Sequence, residues 1–139
     1  MGQYAIGLDL GGTNFRAAAV DREGKVIERI ARPTHTLEGR EAIVSGIVAA
    51  LDELRRSCGG ELAGIGVALA GFIQMDKGVI LHSPNIPAFE NFAARDEISR
   101  LLGEMLDDVQ DRLARVSPWL GLLDRAGGRT DESICSFCL

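Results

Sequence analysis

The residues best equipped for chemistry lie near the start of the chain, in Ile6-Gly7-Leu8-Asp9-Leu10-Gly11-Gly12-Thr13-Asn14-Phe15-Arg16. Asp9 interrupts an apolar run one residue before its end. A carboxylate there is costly to bury unless it is paired, hydrogen-bonded or near a cation. The glycine pair behind it lets the backbone approach a ligand closely and turn N–H groups toward an anion. Thr13 adds a hydroxyl and Asn14 an amide. A magnesium-facing carboxylate beside anion-binding N–H groups is what a polyphosphate requires. The same string also suits a plain Gly-Gly hairpin with a solvated aspartate.

A second candidate is His82-Ser83-Pro84-Asn85-Ile86-Pro87. Its two prolines fix the backbone, which lowers the entropy lost when a ligand is held. Asn85 offers both a donor and an acceptor, the pair that adjacent sugar hydroxyls ask for. A proline-fixed turn with no ligand is the alternative. The third candidate, Cys135-Ser136-Phe137-Cys138, has C-x-x-C spacing. A structural zinc site wants four ligands, and no second pair accompanies this one. A redox pair belongs at a helix start inside a βαβ unit, not here. Two loose thiols in a frayed tail are the expectation.

These groups need a scaffold, and the apolar periods supply one. Residues 4–10 and 15–21 read as two strands of a hairpin, and 25–32 as a third strand that completes a meander. Residues 34–39 read as a loop. Ile43, Val44, Ile47, Val48, Leu51 and Leu54 recur at three- and four-residue spacing, predicting a helix over 40–57. Arg55 and Arg56 suit its C-terminal end, and Gly59-Gly60 could form a left-handed cap. Residues 62–70 are nearly continuously apolar and read as a buried central strand parallel to the first. Residues 71–78 read as a loop, 79–82 as a short strand, and 91–102 as a helix with Asn91 as N-cap. The helical period continues through Met105, Leu106, Val109, Leu113 and Val116, until Ser117-Pro118 interrupts it.

Several classes are excluded or disfavoured. The 139 residues allow one domain or a large part of one. A net charge of −5 disfavours a nucleic-acid or anionic-membrane partner. No apolar run reaches transmembrane length. No basic stretch precedes an apolar one at the N-terminus, so no signal peptide and a cytoplasmic setting are expected. Gly64, Gly66 and Gly71 do not form a dinucleotide fingerprint, because Leu69 stands where the last glycine belongs and the run is a strand. No Walker-type loop occurs.

Taken in order, Asp9-Leu10-Gly11-Gly12-Thr13-Asn14, Gly64-Ile65-Gly66-Val67-Ala68-Leu69-Ala70-Gly71 and Gly78-Val79-Ile80-Leu81-His82-Ser83-Pro84-Asn85-Ile86-Pro87 resemble the N-terminal lobe of a ROK-family sugar kinase, glucokinase-like, within the actin-like ATPase superfamily. The resemblance covers about residues 3–103. It implies an α/β fold of the ribonuclease H-like (actin-like ATPase) type, a lobe with a mixed five-stranded sheet and flanking helices. It also implies transfer of the ATP γ-phosphate to a hexose hydroxyl. Asp9 would bind Mg2+, with Gly11, Gly12, Thr13 and Asn14 around the phosphates. Gly71 and Asn85 would contact the sugar, while His82 has no assignable role. The implied partners are ATP and a small-molecule sugar, without nucleic acid or membrane, and the family is usually homo-oligomeric.

The pattern fails after Gly103. The family continues with a Glu-Asn-Asp-Ala-Asn motif whose aspartate is the general base, then a zinc-binding His/Cys cluster and a second lobe. None has a match here, so no catalytic residue is assigned and no zinc is expected. Residues 1–103 therefore read as the lobe and 104–139 as a divergent tail, helical at first. The tail is either the product of truncation or a frameshift, which its Arg/Gly/Ser/Cys-rich end favours, or a genuine short C-terminal helix. The functional alternatives are a non-catalytic sugar- or phosphate-binding remnant and, ranked below it, a ROK-type transcriptional repressor. The repressor would need a helix-turn-helix ahead of the phosphate motif.

Overall fold

The computed structural model describes residues 2–102 and 134–138. Its main sheet has five strands in the order β3-β2-β1-β4-β7. They are β1 (Gln3–Leu10), β2 (Asn14–Asp21), β3 (Val26–Pro33), β4 (Glu61–Ala70) and β7 (Ile134–Cys138). β1 pairs antiparallel with β2 and parallel with β4, with Asp9 opposite Arg16 on one side and Ala68 on the other. β2 and β3 complete the expected meander. The class is as expected: an α/β lobe with a mixed sheet.

Helix α1 (Arg40–Ser57) makes the crossover from β3 to β4. It buries Ile43, Val44, Ile47, Ala50, Leu51 and Leu54, one stripe at helical spacing. The stripe shares a core with Tyr4, Ile6, Leu8 and Leu10 of β1, Phe15 and Ala17 of β2, and Ile65, Val67 and Leu69 of β4. The alternation along β1 explains this: even positions face the helix, and odd positions, Asp9 among them, face the other way. Each buried aliphatic side chain contributes about 1.5–3 kcal/mol. No left-handed residue caps α1. Cys58 is extended, and its N–H still bonds Leu54 O at 3.1 Å. Gly60, at φ +113°, instead lies against the Gly2 carbonyl, which a Cβ would meet at 2.1 Å.

Four further expectations need correction. Residues 71–78 are not all loop, because β5 (Phe72–Gln74) pairs antiparallel with β6 (Val79–His82). β6 is therefore not the fifth strand of the main sheet; it belongs to a separate two-stranded sheet. That place is taken by β7, whose backbone pairs antiparallel with β4, Leu69 opposite Cys135 and Gly66 opposite Cys138. The Cys135–Cys138 segment is thus an ordered strand rather than a frayed tail. Helix α2 starts at Ala94, not at Asn91, and runs to Leu102. Asn91 is left-handed at φ 48°, and Phe92 forms a bridge with Ile80, donating and accepting at 2.8 Å. A residue committed to a strand ladder cannot also start a helix. The expected helical continuation past residue 103 and the Ser117-Pro118 break lie outside the described residues.

Arg95 joins α2 to the β5–β6 hairpin. Arg95 is buried and donates from Nη1 to Asp76 O at 3.0 Å, while its N–H donates to Gly78 O at 3.2 Å. Gly78, at φ +61°, leaves the space that the Arg95 side chain fills.

Candidate functional site

β1 and β4 run parallel, so Gly11-Gly12-Thr13 and Gly71 emerge at the same end of the sheet, beyond the C-terminal ends of both strands. Open α/β sheets gather ligands in that position. Asp9 is the second-last residue of β1 and is half-buried. Gly11 donates its N–H to Asn14 O at 3.1 Å, closing the β1–β2 turn. Thr13 and Asn14 are exposed.

The segment after β6 folds back onto this turn. Ser83, Pro84, Asn85 and Ile86 form a four-residue turn closed by Ile86 N–H to Ser83 O at 3.3 Å. Proline at the second position suits such a turn. Ile86 is buried and Asn85 is exposed at the tip. The Gly12 backbone then lies directly against Asn85: a Cβ on Gly12 would meet Asn85 O at 2.7 Å and Asn85 Cβ at 3.2 Å. Gly71 is equally close to the base of the turn, where a Cβ would meet His82 O at 2.4 Å. Five of the residues marked in the sequence, Gly11, Gly12, Thr13, Gly71 and Asn85, therefore belong to loops at one end of the sheet. Asp9 and Asn14 flank the first of those loops. His82 supplies a backbone carbonyl against Gly71, and its side chain is exposed.

Four residues that the sequence pattern leaves without a role hold these loops. Ser83 is buried and donates from Oγ to Ala70 O at 2.9 Å, tying the turn to the end of β4. Thr34 is buried and bonds the Gly11 and Thr13 carbonyls. Arg40, the first residue of α1, donates from Nε to Ala88 O at 2.8 Å and from Nη2 to Glu90 O at 2.9 Å. Its guanidinium also stands 4.6 Å above the Phe92 ring, which packs on Phe89 with centroids 4.8 Å apart. A signal for Ser83 is present in the sequence, since serine before proline suits the first position of a turn. None exists for Arg40 and Phe92, whose partners are distant in sequence.

Arg40→Ala is expected to free the 87–92 segment. Two charge-assisted hydrogen bonds and a cation–π contact at a solvent-facing site are together worth about 1–2 kcal/mol. In a domain of this size that lowers the melting midpoint by about 4–8 °C per kcal/mol. Arg40→Lys should recover only part of this, because lysine lacks the planar fork that reaches both carbonyls. A thermal melt followed by circular dichroism checks the order wild type, Lys, Ala.

No group of three or more potential metal ligands occurs among the described residues. Among them, no helix is long and apolar enough to cross a membrane. Burial, with the Glu28 carboxylate nearby, pushes the Cys58 thiol pKa up, which does not suit a nucleophile.

Residues 5–110 match the ROK family, more than half of the chain. The chain belongs to the ROK family. A glucokinase of Thermotoga maritima is 31% identical over 136 residues, 96% of this chain and 41% of the relative. A glucokinase of Streptomyces coelicolor is 36% identical over 134 residues, 96% and 40% respectively. Among solved structures, the ROK hexokinase from Thermus thermophilus superposes with a TM-score of 0.63 at 30% identity, covering 73% of this chain and 33% of that one. A ROK glucokinase from Streptomyces griseus in complex with glucose and AMPPNP gives 0.64 at 28% identity, covering 73% and 31%. This ROK chain thus spans about 40% of the length of the curated relatives it matches. The fold is that of the actin-like ATPase kinases.

Proposed function

We propose that this chain is the N-terminal lobe of an ATP-dependent sugar kinase of the glucokinase type, presenting the sugar-facing and part of the phosphate-facing side of the site. The observation that supports this is the closeness of Gly12 to Asn85, which joins the turn read here as anion-binding to the turn read as sugar-binding. Phosphoryl transfer is mostly a matter of bringing those two ligands together. Asn85 and the Gly71 backbone would orient the hexose through donor–acceptor pairs. Gly11, Gly12, Thr13 and Asn14 would offer N–H, hydroxyl and amide donors to the phosphates. Asp9 fits a hard cation, being a carboxylate oxygen donor at the strand end beside that turn. Mg2+, when bound with ATP, would neutralise phosphate charge. In this reading residues 1–103 carry both ligand turns, and from the divergent 104–139 stretch Ile134–Cys138 adds the edge strand of the sheet.

A second reading is a binding remnant without catalysis. It is favoured by the lack of a match in this sequence to the family's general-base motif. The repressor alternative gains nothing from the curated glucokinase relatives.

Calorimetric titration of the 139-residue chain with glucose and, separately, with Mg-AMPPNP tests the shared core of both readings. Asn85→Ala should weaken glucose alone, and Asp9→Asn should weaken Mg-AMPPNP alone. Failure of the wild-type chain to bind either ligand would refute the assignment.

A further inference from the structure

Thr34 follows the last residue of β3, where sequence alone shows only a loop. Its side chain is 1% exposed, and it is one of the few buried polar residues among those described. Both of its donors are spent on the Gly-Gly turn. Oγ1 donates to Gly11 O at 2.7 Å, and the backbone N–H donates to Thr13 O at 2.9 Å. In a trans peptide the C=O and the following N–H point in opposite directions. Holding the Gly11 and Thr13 carbonyls toward Thr34 therefore turns the N–H groups of Gly12 and Asn14 away from it. The direction of those two amides is not set by the glycines, which permit many; it is set by what grips the carbonyls of the same peptide units.

We propose that Thr34 is a positioning residue for the anion site, its hydroxyl and amide fixing the Gly11 and Thr13 carbonyls so that the Gly12 and Asn14 amides face a phosphate. The proposal rests on the reading of Asp9–Asn14 as a phosphate loop. It adds a residue that follows a different strand, 23 positions from the Gly11 carbonyl it holds. The pair resembles the one at the other loop, where the buried Ser83 hydroxyl holds the Ala70 carbonyl at 2.9 Å. Each ligand loop is thus anchored through a buried hydroxyl on a backbone oxygen. The anchor works from behind, leaving the exposed surfaces of Thr13 and Asn85 for a ligand.

The test uses the full 139-residue chain with Thr34→Val, which keeps the shape and removes the donor, and Thr34→Ser, which keeps the donor and removes a methyl. Amide hydrogen exchange at Gly11 is read by NMR, with Ile6 and Ile65 as core references. Mg-AMPPNP and glucose are titrated separately. In Thr34→Val, exchange at Gly11 should quicken about tenfold and the Kd for Mg-AMPPNP should rise about tenfold, the equivalent of one lost hydrogen bond. The core amides and the Kd for glucose should stay within about twofold, within the scatter expected of an unaffected site. Thr34→Ser should match wild type in every readout.

Wild-type exchange at Gly11 in Thr34→Val overturns the proposal, and so does quickened exchange with unchanged Mg-AMPPNP affinity. If Thr34→Val does not fold, a defective Thr34→Ser overturns it and a wild-type Thr34→Ser supports it. If the wild-type chain binds no Mg-AMPPNP, the phosphate reading itself fails. The exchange arm then still decides whether Thr34 holds the turn.

Discussion

Expressed by itself, the 139-residue chain should phosphorylate glucose at least about a hundredfold more slowly than the same chain joined to the C-terminal half of a ROK glucokinase. Three shortfalls add up. On the proposed reading the turns around Gly12 and Asn85 would hold one side of each reactant, so neither would be fixed in line with the other, and alignment is the largest part of phosphoryl transfer. No residue matches the family's general base, a group typically worth about a hundred- to ten-thousandfold. A half-site also leaves water against the phosphates, which weakens every charge interaction there. A coupled ADP-release assay on both proteins, with and without Asp9→Asn, measures this. Comparable turnover by the short chain, abolished by Asp9→Asn, would show that one lobe suffices.

Gly71→Ala should be the most damaging single substitution near the site. Gly71 sits at φ +155°, where an L side chain is strained by about 1–3 kcal/mol. Its added Cβ would lie 2.4 Å from His82 O and 3.2 Å from Ser83 Cα. Those are backbone atoms, which cannot swing aside like a side-chain tip, and such overpacking costs about 1–3 kcal/mol more. The sum is a large share of the ~5–15 kcal/mol that holds a domain together. The displaced atoms lead into the Ser83–Ile86 turn, so glucose binding should fail at temperatures where Mg-AMPPNP still binds. Gly46→Ala is the control. Its Cβ would meet only Phe15 Cε1 at 4.0 Å, and alanine inside a helix gains about 0.5–1 kcal/mol over glycine. Melting midpoints should therefore move in opposite directions, down by about 10 °C or more for Gly71→Ala. Equal midpoints would contradict the steric account.

The main elements could be read from the sequence because their burial is periodic or continuous. α1 shows its stripe from Ile43 to Leu54, and β4 its apolar run, so both were legible within a residue or two. β5 was not, since Phe72-Ile73-Gln74 is too short to show a period and follows a glycine. Phe92 fits a helical stripe with Ile98, Leu101 and Leu102, yet its backbone is claimed by Ile80, a tertiary pairing that local spacing cannot show. β7 gains its strand character from β4, far back in the chain. At the site, the chemical groups were legible and their supports were not. Asp9, Gly12 and Asn85 announce themselves by type and by neighbours. Thr34 and Arg40 look ordinary until the fold puts backbone oxygens in front of them.

The two margins of the main sheet are guarded by different means. β3 is self-protecting: Glu28, Arg29 and Arg32 are exposed along it, and Pro33 ends it without an N–H to offer. β4 has no such defence. It is uncharged after Glu61, and a bare row of its N–H and C=O groups would template the strand of another molecule. The five residues of β7 occupy that row from Gly66 to Ala70. The margin on this side is thereby moved from a ten-residue strand to a five-residue one, and a short edge offers another molecule less to pair with. Loss of β7 would leave the core and both ligand turns in place and open the longer β4 row to pairing with another molecule.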